Sequence, residues 1–121
     1  DFAYVGSAFL ATHEANVVEG YKQMIVDSDA GDIVYSNLFT GVHGNYLRGS
    51  IEAAGLDPAN LATSDPSAMS FGSDDCKAWR DIWGSGQGVG AVDQVCSVAD
   101  LVARLRGELD AAKADLHAKL S

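Results

Sequence analysis

Basic side chains are scarce: 8 Lys and Arg stand against 17 Asp and Glu in 121 residues, for a formal net charge of −9. The acids are scattered in ones and twos rather than gathered in a tail. A surface of that sign repels polyanions, which excludes nucleic acid and anionic membrane as expected partners. Long apolar runs are missing as well. Asp27, Asp29 and Asp32 break up the middle of the chain and glycines the rest, so no stretch approaches the roughly 20 residues that span a bilayer. The first residues, Asp1 and Phe2, offer neither a basic n-region nor an apolar h-region, so no signal peptide is expected and the sequence reads as soluble and cytoplasmic. Two cysteines, Cys76 and Cys96, are too few and too far apart for a disulfide framework or a zinc cluster and read as ordinary thiols. No repeat of about 20 to 50 residues is visible, and no segment has low complexity. What the chain does have is an apolar fraction of 47%, enough to bury the core of one domain.

Phe2-Ala3-Tyr4-Val5 is a short apolar run with β-formers, stopped by Gly6-Ser7, and predicts a buried strand of a parallel sheet leading into a helix. From about Glu14 to Asp27, Val17, Val18, Tyr21, Met24 and Ile25 share one helical face, with Glu14 placed against the N-terminal dipole. Ser28-Asp29-Ala30-Gly31 reads as a stop and turn. Ile33-Val34-Tyr35 predicts a strand running into Asn37–Gly41. Tyr46, Leu47, Ile51 and Ala54 mark a second helix closed by Gly55. The Ser-, Asp-, Gly- and Pro-rich stretch 62–75 predicts a loop or insertion.

Trp79, Ile82 and Trp83 sit at helical spacing before the turn-rich run Gly84-Ser85-Gly86-Gln87-Gly88-Val89-Gly90. Ser97-Val98-Ala99-Asp100 is a capping box with Asp in the last place. Behind it Leu101, Val102, Leu105, Leu109, Ala112, Leu116 and Leu120 form the stripe of a long closing helix over 97–121. One or two strands among several helices do not make a complete sheet, so the pattern is that of a piece of an α/β protein.

Gly6-Ser7, between a strand and a helix, brings unblocked backbone N–H groups and a hydroxyl to one place, a combination that binds phosphate. The same turn is also a common structural device. His43, between Val42 and Gly44, is either a pocket residue or an ordinary loop histidine, and His117 lies on the surface of the closing helix. Trp79 and Trp83 read as core anchors ahead of a flavin-stacking pair. Asp74 and Asp75 read as solvated loop residues or as an N-cap for the helix that bears Trp79.

Three motifs in order carry a family resemblance over almost the whole chain. Ala3–Thr12 resembles the strand 8 and phosphate-loop signature of nitronate monooxygenases (2-nitropropane dioxygenases), with Ala8 where the family pattern has Arg and Ser7 where it has Thr. Tyr21-Lys22-Gln23-Met24-Ile25 resembles the stretch after the following helix, and Gly86-Gln87-Gly88-Val89-Gly90 resembles the late glycine-rich turn. Tyr35, Asn37 and Phe39 resemble the segment that covers the flavin.

The resemblance implies the C-terminal piece of a (β/α)8 TIM barrel: its last strand, a mostly helical subdomain with 28–75 as a substrate-side insertion, and the closing helix. It implies FMN as cofactor, with Gly6 and Ser7 on the phosphate and Gln87 and Gly88 near the flavin or its ribityl chain. The implied activity is oxidation of alkyl nitronates with molecular oxygen, and a homodimer is compatible with it. The family's catalytic histidine lies upstream of the matching region, so no catalytic residue and no metal ligand is assigned to this chain. A flavin-dependent enoyl-acyl-carrier-protein reductase is the second enzyme reading, and a non-catalytic helical interaction module is a third.

Overall fold

The structure, a computed structural model, describes residues 2–63 and 80–121. The expectations for Trp79, Asp74, Asp75, Cys76 and most of the 62–75 stretch lie outside those residues. Phe2–Val5 forms no ladder, and Phe2 and Tyr4 are fully exposed. The expected barrel strand is therefore not a strand here. A parallel strand is held by hydrogen bonds to neighbours, and among the described residues no strand lies beside this one.

A single helical turn, α1 (Ser7–Leu10), follows Gly6 and leads straight into the buried pair Ala11 and Thr12. The Thr12 hydroxyl turns back to donate to the Phe9 carbonyl at 2.7 Å. Thr12 also makes a parallel bridge with Cys96, through His13 N–H to the Cys96 carbonyl (2.9 Å) and Cys96 N–H to the Ala11 carbonyl (3.3 Å). This stitch ties the beginning of the chain to the approach of its last helix.

Helix α2 (Glu19–Asp27) begins five residues later than the periodicity suggests. Glu14 serves elsewhere: its carboxylate accepts the backbone N–H of Val98 at 2.8 Å, at the start of α4 (Val98–Leu120). There it satisfies one of the orphan donors of that helix, beside the expected cap in which Ser97 Oγ accepts from Asp100 N–H at 3.0 Å. A 3₁₀ turn, η1 (Ala30–Asp32), carries a reciprocal capping box between Asp29 and Asp32 and launches β1 (Ile33–Ser36).

β1 pairs antiparallel with β2 (Gly44–Leu47), Ile33 opposite Leu47 and Ser36 opposite Gly44. Tyr46 and Leu47 thus belong to a strand and not to the helix their spacing suggests. Their backbone finds partners on both sides: Leu47 N–H donates to the Trp83 carbonyl at 2.8 Å across the far edge of β2. Helix α3 (Arg48–Ala53) begins one residue later and ends as expected at Gly55, whose φ of +82° is the left-handed cap of a Schellman motif. Gly55 N–H reaches the Glu52 carbonyl at 2.9 Å and Leu56 N–H the Ile51 carbonyl at 3.2 Å.

Two apolar clusters hold the elements together. Ala11, Ile25, Leu47, Val89 and Val92 form one, with Tyr21 and Trp83 packed against it; Phe39, Ile51 and Ile82 form the other. Val89 enters the first cluster from a second 3₁₀ helix, η2 (Gln87–Ala91). The α4 stripe is largely unburied. Leu101 is its one buried residue, while Val102, Leu109, Leu116 and Leu120 are half or more exposed.

Candidate functional site

Each of the two glycine-containing segments is anchored by its own buried residues before they meet. On one side, the Gly6 carbonyl accepts Phe9 N–H at 3.0 Å, closing α1, and Ala11 and Thr12 sink into the core. On the other, Ser85 N–H donates to the Asn45 carbonyl of β2 at 3.2 Å and Val89 fills the core with no exposure. The segments join at Ser7: its Oγ accepts Gly86 N–H at 2.8 Å and the Ser85 hydroxyl at 3.1 Å. A hydroxyl offers two acceptor sites and one donor. With both acceptor sites used from within the chain, the Ser7 proton is the part left for a ligand.

Around this junction lies a cleft of about 260 Å³, walled by Gly6, Ser7 and Ala8, by Gly88 and Val92, and by Arg104, Leu105 and Glu108 of α4. A Cβ added at Gly6 or at Gly88 would meet nothing within 4 Å. Gly6 sits at φ −114°, a conformation open to any residue, so nothing in the backbone requires glycine there. Both backbones therefore face open space that a ligand can enter. Gln87 does not line this cleft and its side chain is exposed. The structure thus brings three of the four expected site residues, Gly6, Ser7 and Gly88, into one cavity and leaves the fourth beside it.

Arg104 is not among the residues that the motifs single out, and the fold places it in the cleft. Its signal was present: Leu101, Arg104, Leu105 and Glu108 follow the i, i+3, i+4, i+7 spacing of one helical face. The guanidinium is tethered by Asp93, Nη1 to Oδ1 at 3.1 Å, and lies near Glu108, Nε to Oε1 at 3.4 Å. The second contact is an ion pair without hydrogen-bond geometry. Arg104 Nε is buried and has no hydrogen-bond partner among the described residues.

The remaining candidates separate into packing and surface. Trp83 stacks on Tyr21 with ring centroids 4.9 Å apart and planes at 4°, and the Tyr21 hydroxyl donates to the Gly84 carbonyl. Burial of that phenol raises its pKa above the ordinary value of 10.0. Trp83 is an anchor, as its sequence context suggests. Phe39 is buried against Tyr46 with ring centroids 4.9 Å apart, so it packs the second core cluster. His43 stacks on the exposed Tyr35 at 4.7 Å, at the rim of a separate polar cleft of about 250 Å³ that includes Asn37. His117 lies on the exposed half of α4. Among the described residues, no three His, Cys, Asp or Glu side chains converge as a metal site would require, and no helix is long and apolar enough to cross a membrane.

No protein-family model matches the chain, and no curated protein matches it. Among solved structures it is similar to a single-residue mutant of FabK from Thermotoga maritima, with a TM-score of 0.61 and 20% sequence identity. The alignment covers 93% of this chain and 35% of the FabK chain, so the chain spans about a third of that protein. At this identity the likeness is one of fold: the mixed α/β chain superimposes on part of a TIM-barrel protein.

Proposed function

We propose that this chain carries the flavin-phosphate site of an FMN-dependent barrel oxidoreductase that oxidises alkyl nitronates. The observation that carries the reading is the Gly86 N–H to Ser7 Oγ bond of 2.8 Å. It joins the two motifs on which the resemblance rests, 79 positions apart in sequence, at a cleft where Gly6 and Gly88 leave room for an anion. The residues fit the phosphate end of FMN: open backbone at two glycines, a hydroxyl with its proton uncommitted, and a guanidinium whose buried Nε–H makes no hydrogen bond among the described residues. The redox chemistry, with molecular oxygen as electron acceptor and a carbonyl compound and nitrite as products, is what bound FMN supplies. The chain's own part is to hold the phosphate and so fix one end of the cofactor.

Reduction of an enoyl thioester is the second reading, favoured equally by the fold shared with FabK. The test joins this chain to the barrel units that the reading places before it. Purified protein should be yellow, release FMN on denaturation and consume oxygen with an alkyl nitronate. Consumption of NAD(P)H with an enoyl thioester instead would transfer the assignment to the reductase, and a colourless helical oligomer would end both flavin readings. The 121-residue chain alone is expected to hold FMN weakly and to oxidise no nitronate. The isoalloxazine ring needs the mouth of a closed barrel, and stoichiometric binding with turnover by this chain alone would refute the proposal.

A further inference from the structure

Resting on that phosphate-site reading, we infer that Arg104 of α4 is the cationic member of the site and binds the phosphoryl dianion across the cleft from Gly6, Ser7 and Gly88. Amide and hydroxyl dipoles can hold a phosphoryl group, and a full positive charge beside them makes charge-assisted hydrogen bonds roughly twice as strong as neutral ones, which counts for more on an acidic protein. The chain has 8 Lys and Arg in all, and Arg104 is the one cation lining this cleft among the described residues. Its approach is already organised. Leu101, buried one turn earlier, fixes the helix, and Asp93 holds one guanidinium nitrogen at 3.1 Å. Of the five N–H donors of an arginine, only one on Nη1 is committed to a hydrogen bond within the chain.

The sharper observation is that Nε, ion-paired with Glu108 at 3.4 Å, makes no hydrogen bond among the described residues. A buried N–H without a hydrogen bond is costly, and Glu108 comes within ion-pair distance of it without making the bond. An entering phosphoryl oxygen would supply that bond, while the Glu108 side chain, well exposed, is free to swing into solvent. Ala8 stands on the opposite wall of the same cleft with a side chain too short to reach an anion. A cation placed there would occupy the same cavity from the other side, which makes it a test of position rather than of fold.

The test is a titration of the 121-residue chain with inorganic phosphate at constant ionic strength, followed by NMR at the backbone amides of Gly6, Ser7 and Gly88 and at the Nε–H of Arg104. All four signals should move together in the parent. Arg104→Gln should weaken phosphate about tenfold or more, the range of a hydrogen bond to a charged group. Arg104→Lys should fall between, and Ala8→Arg combined with Arg104→Gln should recover most of the loss. If Arg104→Gln leaves the amide titration unchanged, the loop binds phosphate without Arg104 and the inference fails while the phosphate-site reading stands. Loss without recovery in the double variant would mean that Arg104 holds the fold rather than the anion, which also overturns it. No movement of Gly6, Ser7 or Gly88 in the parent would sink the phosphate-site reading itself.

Discussion

Ser7 is the hub through which two distant segments are joined, and its contribution can be isolated. Ser7→Ala removes the acceptor of Gly86 N–H and of the Ser85 hydroxyl. At about 0.5–1.5 kcal/mol net for each bond, the expected loss is about 2 kcal/mol. The two orphaned donors are not equivalent. Gly86 is exposed and water can replace Ser7, whereas Ser85 is only 9% exposed and has a weak alternative in the Gly86 carbonyl at 3.5 Å. Most of the cost therefore falls on the Ser85 hydroxyl. Ser85→Ala removes that donor at about 1 kcal/mol and leaves the Gly86 bond intact. In Ser7→Ala the bare Ser85 hydroxyl is penalised, and in the double variant it is gone, so the two losses should fail to add by about 1 kcal/mol. Urea denaturation of the parent, both single variants and the double variant, with m held common, measures that coupling. Additive losses, or a Ser7→Ala midpoint equal to the parent's, would show that the junction is a contact without energetic weight, and the argument that it shapes a site would fall with it.

Three further outcomes follow from the same geometry. Gly6→Val and Gly88→Val should leave the melting temperature nearly unchanged, since neither Cβ meets an atom, yet should abolish FMN retention in the completed barrel by blocking the phosphate; unaltered flavin content after gel filtration would refute the site. Leu101→Ala should cost about 2–5 kcal/mol by opening a cavity under α4, against about 0.5 kcal/mol or less for the exposed Leu116→Ala, and equal thermal shifts for the two would contradict the packing described. The pKa of Tyr21 is raised in the folded chain, so above pH about 10 the unfolded state loses its phenolic proton first; the stability tied to that proton is intact below this pH and declines above it. Tyr21→Phe keeps the stack on Trp83 and should remove this part of the alkaline decline, and a parallel fall in both proteins between pH 9 and 11 would argue against a buried phenol.

The elements readable in the sequence are those whose cause is local. The Ser97 cap, the stop at Gly55 and the β-branched run Ile33-Val34-Tyr35 each depend on neighbours within a few residues, and each stands where its chemistry puts it. Tyr46 and Leu47 carry helical spacing without being helical, because apolar residues before a real helix can continue its period by accident. Only the bonds from β1 on one side and Trp83 on the other make them a strand. Phe2–Val5 has strand composition, but a ladder is a property of two chains of atoms, and composition supplies one of them.

For the site, the sequence by itself determined the donors of the two loops, glycines at 6 and 88 and a hydroxyl at 7, and set an arginine beside the leucine stripe of the last helix without marking it as part of the site. It also determined the acidic balance that makes one well-placed cation matter. Which of these donors meet was decided by the tertiary structure alone. Ser7 and Gly86 are joined because β2 aligns the 84–86 segment while the Thr12–Cys96 bridge draws α4 beside α1. Glu14 was diverted from its own helix to the N-terminus of another, and Gln87 was left in solvent although both of its neighbours are engaged at the junction or the cleft. Spacing along the chain sets what a segment can do by itself; convergence depends on long-range hydrogen bonds and burial, with partners as far apart as Ala11 and Cys96.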